Sequence, residues 1–598
     1  MSTAPPSGPE TLALEDRPRR APSVSRPRKP QDGRLTRIWA WVLLAVLLVV
    51  GAVLVLTQTR GTTFSTDEWT WILQRRQWNI HTLLDPHNGH LSLVPLLLYK
   101  ILFVVVGLRH YWPYLVMVTL GHLVCVTLLF VYLRRRVGDY IALLGAALLL
   151  FFGPGWQEFL WPFQVAWLIV IACGIGALLL LDRDDRIGDL GACLLLAVAL
   201  GSAGPGVAVA AGLVVEVVMT QRRRRWWIVG VPIALYALWW VGFQNAQTSR
   251  DSVFHMITFV FHAPAGALAA LVGLANANVV TGQGDFLAWG APLLIVVVGA
   301  ISWRLVKLQR VPRRVLTLIV AMLVFWITAA IGRAYLPVGP IVLVGTGYES
   351  RYLYVSAVLI LLLAAELFTF RSLRPIPAVV AGVLVVFPVL ANVQALKDGA
   401  AFLRSEANQT VAELGALEIG RPIVAPNYVS QGLVFNVVPA GAYFAAIDAL
   451  GSPVNPAQIP RLPDAQRAAA DGQLIAIHRV GLSPAPRPSV ASSLPPVVEA
   501  SHGGVTFRRG SCVAYSPAAF TPSGAVDAID LRLPAAGLVL SASGAPATIE
   551  LRRFADQFET LGTLAPGHPQ LLRIGPDLSV RRWHVRVISP SGVTACGA

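Results

Sequence analysis

Apolar runs of about 17–23 residues recur along this chain, the length a helix needs to cross a hydrocarbon core of about 30 Å. Lipid offers no partner to an open backbone, so such runs must be helices packed side by side. Apolar residues make up 55% of the 598 and charged ones only 13%, too little polar surface to cover a soluble globule of this size. The chain therefore reads as mainly α, a polytopic helical membrane protein.

Its formal net charge is +16. In a soluble chain this would suggest a nucleic-acid partner. Here the arginines cluster beside apolar runs, so they read as topology signals and contacts to anionic membrane lipids, with no nucleic acid involved. Only four lysines stand against a large excess of Arg, and Ala, Gly, Pro and Val are abundant, which points to a GC-rich bacterial genome and a bacterial plasma membrane.

Placing the clusters at 134–136 and 222–225 and the basic loop at 304–314 in the cytoplasm predicts about 11 spans. They fall at 38–58, 111–133, 140–152, 165–181, 190–203, 207–220, 226–243, 286–303, 315–331, 351–370 and 376–393. The run 91–107 is apolar enough to cross, but crossing would put Arg134, Arg135 and Arg136 outside. It is read as a juxtamembrane or re-entrant helix on the outer side, and 253–274 as an interfacial helix. Residues 1–36 are rich in Pro, Arg and Ser and are expected to form a disordered basic cytoplasmic tail.

From about Lys397 the composition becomes that of a soluble region, which this topology places outside. The domains are then the tail at 1–36, a transmembrane domain at 37–395, a mixed helical extracytoplasmic region at 396–482 and a β-rich extracytoplasmic domain at 483–598. Short strands separated by turn residues after Gly503 suggest an α/β or β-sandwich domain. Cys512 and Cys596 lie in it and outside the cytoplasm would form a disulfide. Cys125, Cys173 and Cys193 sit in apolar runs as buried bystanders.

The loop at 60–95 holds more polar chemistry than a connection needs. Asp67 and Glu68 are adjacent just outside the first span, where carboxylates can act as a general base, as metal ligands, or only as an acidic helix start. Asp85-Pro86-His87-Asn88-Gly89-His90 is a forced turn. His87, Asn88 and His90 read there as substrate contacts or as a hydrogen-bonded turn, in preference to a metal site. Glu158, Trp161 and Gln164 lie in a second outer loop, as sugar-binding groups or as an interfacial aromatic belt. Arg333 and Arg351 run against the charge bias of the outer side, beside Tyr348, Glu349 and Tyr352; arginine binds phosphate bidentately, although an ion pair with Glu349 is the plainer reading. His122, within a span, reads as a helix–helix hydrogen bond.

Taken together, Phe64-Ser65-Thr66-Asp67-Glu68, the run NGHLSLVPLLLYKILFVVVG, the arginine-terminated helix 111–136 and Ser350-Arg351-Tyr352 resemble the GT-C superfamily of polytopic glycosyltransferases. The resemblance covers about residues 38–395. It implies a polyprenyl-phosphate-linked sugar donor and an inverting transfer to a cell-envelope glycan acceptor on the extracytoplasmic side. Asp67 would be the catalytic base, Glu68 would assist it or bind a divalent metal, and Arg351 with Arg333 would hold the donor phosphate. A clear second acidic motif is missing, with Glu158 its nearest stand-in, so a metal stays an open question. Two other readings remain: a transporter or flippase of a lipid-linked envelope component, and a non-enzymatic envelope scaffold. No internal repeat of the kind transporters carry is evident.

Overall fold

The computed structural model describes residues 34–220, 225–243, 253–275, 277–278, 283–284, 286–334, 336–338, 341–343, 345–368, 375–430, 438–485, 495–518 and 526–598. Most of the expected N-terminal tail (1–33), part of the basic cluster at 222–225 and most of the linker at 483–496 lie outside them.

Among the described residues eight helices are long and apolar enough to cross a membrane. Seven were expected: α1 (Arg34–Gln58), α5 (Trp112–Val137), α8 (Val165–Leu181), α13 (Phe286–Leu308), α14 (Arg313–Arg333), α15 (Ser350–Leu367) and α16 (Pro375–Ile419). The count of about 11 is not reached. Helices α6 (Asp139–Leu150), α9 (Arg186–Leu200), α10 (Pro205–Met219) and α11 (Trp227–Phe243) have 12, 15, 15 and 17 residues. At about 1.5 Å per residue they reach only about 18–26 Å. The eighth candidate is α12 (Val253–Leu271), expected to be interfacial but long and apolar enough to cross.

Charge is segregated between the two ends of the bundle. At one end Arg136 pairs with Glu366 and with Asp182 (3.2 Å), Arg314 with Asp182 (2.6 Å) and Glu216 (3.5 Å), and Arg225 with Asp189 (2.9 Å). The first four pairs tie α5, α8, α10, α14 and α15 together, and the last ties α9 to the residues just before α11. The other end carries the loop after α1. Along α15, Arg351 and Glu366 lie at opposite ends, about 22 Å apart by helical rise.

Helix α4 (Leu93–Val105) has 13 residues, about 20 Å, too short to cross. Leu96, Tyr99, Lys100 and Phe103 are buried, while Ile101, Val104 and Val105 face outward. It stops at Gly107, whose φ of +69° suits glycine. There Leu108 N–H donates to the Leu450 carbonyl at 2.9 Å, joining α4 to α17 (Ala440–Leu450) of the C-terminal region.

The last membrane helix does not stop at the bilayer. Helix α16 runs unbroken for 45 residues, about 68 Å, so the boundary expected at 395/396 falls inside it. Its far end, through Ala412, Ala416 and Ile419, joins the core of a β-sandwich, together with Ala470 and Leu474 of α18 (Asp464–His478). One sheet has six strands, in the order Leu482–Pro484, Gln570–Leu572, Leu538–Ala542, Val593–Gly597, Cys512–Pro517, Gly504–Arg509. The second has five. Cys512 and Cys596 face each other across neighbouring strands and form the expected disulfide. Cys125, Cys173 and Cys193 are buried free thiols.

Near its middle α16 seats on the turn Gly153–Gly155, where Gly153 meets the Asn392 carbonyl with no room for a side chain. Gly153→Ala should therefore lower the melting temperature of the purified protein, by an overpacking cost of about 1–3 kcal/mol. An unchanged melting temperature would show that α16 does not rest on this turn.

Candidate active site

The site forms where the loop after α1 folds back under α4. Asp67 opens α2 (Asp67–Gln74), and the preceding Thr66 has φ +45°, a conformation that costs a non-glycine residue about 1–3 kcal/mol and tends to occur at functional sites. The Asp67 Oδ1 atom lies 3.6 Å from His87 Nε2 and 3.4 Å from the Asn88 amide nitrogen. Burial pushes this carboxyl up, but His87, Asn88 and the charge of Arg351 outweigh it and hold Asp67 below the ordinary carboxylate range. Among the described residues no group hydrogen-bonds Oδ2. Asp67 is thus an ionised carboxylate with one oxygen held and the other open.

Glu68 has a different task. It is fully buried, and Tyr99 (2.6 Å), Tyr111 (2.9 Å), Ser65 N–H (3.1 Å) and Trp161 Nε1 (3.2 Å) all donate to it. Three of these bonds fall on Oε2 and one, from Tyr99, on Oε1, so the carboxyl is enclosed by donors from four directions. It is the pin that draws α2, α4, the start of α5 and the second outer loop together. Trp161, expected to bind sugar, spends its indole N–H on this carboxyl. Burial pushes Glu68 up to about 7 in spite of its donors.

The Asp85–His90 segment is the turn its Pro and Gly predict. His87 and His90 pair through backbone bonds of 2.9 and 3.0 Å, and Asn88 and Gly89 both have positive φ, 50° and 79°, as a type I′ turn requires. The His87 ring meets the edges of Trp71 (5.7 Å) and Phe163 (5.4 Å). His90 packs against Gly204 in the turn between α9 and α10. Burial, then the charges of Arg333 and His87, push it down to about 4, so it is neutral at physiological pH. The charge of Arg333, at the end of α14, thus reaches His90.

Arg351, in the first turn of α15, sits among three carboxyls. It pairs with Glu349 at 3.7 Å, and its charge acts on both Asp67 and Glu158. Its Nε has no partner among the described residues. Glu158, in the short α7 (Gln157–Leu160), is fully buried with neither carboxyl oxygen hydrogen-bonded. Burial pushes it well above the usual range, only partly offset by Arg351. Gln164 is buried nearby in sequence, with an unpartnered Oε1. Within this wall the Ser350 hydroxyl accepts from Gln157 N–H at 3.0 Å, tying α7 to α15.

Two expected substrate contacts point elsewhere. Tyr348 stacks on Phe286 (5.1 Å) and lies near His262 (5.8 Å), facing α12 and α13. Tyr352 is buried among Trp167, Phe259 and Phe325. Adjacent helical residues lie about 100° apart, so Arg351 and Tyr352 cannot share a face. Tyr352 instead lends its ring to the Arg351 guanidinium, 5.2 Å away. His122 is the helix–helix bond expected, joining Tyr354 of α15 at 2.8 Å. Among the described residues no three of His, Cys, Asp and Glu are grouped as a metal site.

The sequence did not single out Tyr99 and Tyr111, and Thr66 entered only as part of the Phe64–Glu68 stretch. It also missed α17, whose Tyr443 packs on Trp69 with ring centres 5.8 Å apart.

Comparison with protein-family models and with curated proteins finds no match. Among solved structures the chain is similar to ArnT from Cupriavidus metallidurans in the apo state, with 14% identity and a TM-score of 0.41 over 66% of this chain and 82% of that one. It is likewise similar to the same protein bound to undecaprenyl phosphate, with 15% identity and a TM-score of 0.41 over 69% and 85%.

Glu68 yields a pH signature. From its ordinary value of 4.5 up to about 7, the folded protein keeps a proton there that the unfolded chain has released. Its contribution to stability is therefore full below this window and is lost as pH rises through it. The melting temperature should fall across the window, and Glu68→Gln should flatten that fall. An unaltered slope in Glu68→Gln would remove Glu68 from the titration.

Proposed function

We propose that the protein is an integral membrane glycosyltransferase of the GT-C type, moving a sugar from a polyprenyl-phosphate-linked donor to an envelope acceptor on the extracytoplasmic face. The observation that carries this reading is the meeting of Asp67 and Arg351 in one site at the head of an apolar cleft. Starting one turn below Arg351, Val355, Val358, Leu359 and Leu362 of α15 line that cleft with residues of α8, α10 and α14. A phosphate at the Arg351 guanidinium leaves this cleft for the isoprenoid chain.

The chemistry follows from these positions. The acceptor hydroxyl oxygen attacks the anomeric carbon and forms the new glycosidic bond. The bond from that carbon to the phosphate oxygen breaks, and its electron pair leaves with the lipid phosphate. The hydroxyl proton passes to the open Oδ2 of Asp67. In-line attack inverts the anomeric centre. Arg351, with Arg333, stabilises the charge that gathers on the phosphate. Glu68 is enclosed by its four donors whereas Asp67 has an open oxygen, so Asp67 is the better placed member of the acid pair for a divalent metal, and no step here is routed through one.

Orientation rests on charge. The arginine-rich end of the bundle belongs in the cytoplasm by the positive-inside rule, which puts the site outside. The ion pairs at that end join five helices to one another, which weighs against a flippase path through the bundle. A scaffold would need neither the ionised Asp67 nor the half-paired Arg351.

In cells carrying the variant as the sole copy, Asp67→Asn should reduce the product glycan by at least about 100-fold while the protein stays inserted. Arg351→Lys should also impair transfer, since lysine cannot make the bidentate contact. Normal envelope glycan with a well-inserted Asp67→Asn protein would sink the assignment.

A further inference from the structure

The hairpin beside the base has more structure than a pocket wall requires. Two of its groups, the His87 imidazole and the Asn88 amide, converge on the same atom, Asp67 Oδ1, at 3.6 and 3.4 Å, and lie 3.3 Å from each other. His87 is fixed by its backbone pairing with His90, and Asn88 follows it at the first positive-φ position of the I′ turn. The ring cannot swing away, since it is wedged between the edges of Trp71 and Phe163 and is almost fully buried. Asn88, by contrast, is exposed.

We propose that His87 and Asn88 are positioning residues for the base: they hold Oδ1 of Asp67 and thereby turn Oδ2 toward the acceptor hydroxyl. The hairpin is then part of the proton-transfer apparatus and not a sugar contact. The charged and titratable groups about His87 are Asp67 from α2 and His90 from its own hairpin. Arg351 of α15 acts on Asp67, and Arg333 of α14 acts on His90. Glu68 belongs to the other side of α2 and is held by Tyr99, Tyr111 and Trp161. The two neighbouring acids thus have separate partners, one set fixing the loop and the other aiming the base.

The inference rests on Asp67 being the base, but it can be read without any substrate. Infrared difference spectra of the full-length protein in nanodiscs, recorded during acid titration, give the protonation of the Asp67 carboxyl, assigned by the band lost in Asp67→Asn. In His87→Gln this carboxyl should take up its proton about tenfold more readily than in the wild type. Asn88→Gly, which keeps the positive φ and removes the amide, should shift it in the same direction by less. If His87→Gln does not fold, Asn88→Gly alone decides. An Asp67 titration unmoved in the folded variants overturns the pairing, whatever envelope glycans show. Lost transfer in Asp67→Asn with unmoved titrations would leave the base assignment standing and reject only the hairpin's part in it.

Discussion

A single buried carboxyl holds the site end of this protein together. Glu68 accepts from two tyrosines, a tryptophan and a backbone N–H, and those donors come from four separate stretches of chain. A carboxyl taken out of water is costly, and the cost is met only where donors surround it. The arrangement is therefore all or nothing: α4 lies where it does because Tyr99 must reach Glu68, and Trp161 sits over the loop for the same reason. Asp67, one residue away, inherits a rigid backbone from this cage and is left free to face the cleft.

The bundle separates two kinds of electrostatics. At the arginine-rich end, acids and bases are matched across helices and neutralise one another. At the site end the balance is incomplete. Arg351 retains an unpartnered Nε, Glu158 has no hydrogen bond to either oxygen, and Asp67 has an open one. Matched charges fix structure, whereas unmatched ones store interaction for a ligand. The same helices carry both, since α15 has Arg351 at one end and Glu366 at the other.

Much of this was legible in the sequence because local chemistry dictated it. The Asn88-Gly89 turn, the glycine stop at Gly107, the pairing of Cys512 with Cys596 and the strand-rich C-terminal region follow from residue types and spacing. Asp67 stood out as one of two adjacent carboxylates just outside a span, although an acidic helix start was also open, and it does open α2. Other features depended on partners far away in the chain. Glu68 and Asp67 look alike in sequence, and only Tyr99, Tyr111 and Trp161 separate their roles. Tyr348 and Tyr352 flank Arg351 in sequence, yet helical rotation turns Tyr352 into the bundle and Tyr348, ahead of the helix, stacks on Phe286. The expected span count is not confirmed among the described residues, because hydropathy records apolarity without recording where a helix ends. Helices α6, α9 and α10 are mostly apolar but too short to cross on their own.

Helix α16 has a geometric consequence. Arg404 on it donates to the Gln58 carbonyl at the end of α1, and Ile419 already belongs to the sandwich core. From Arg404 to Ala412, where α16 first enters that core, eight helical steps act as a ruler about 12 Å long, with no joint in it. Each residue added or removed there would change the height of the sandwich by about 1.5 Å and turn it by about 100° about the helix axis. The face that the sandwich shows to the site, and with it the size of whatever passes between them, is thus written in a count of residues more than in their identity.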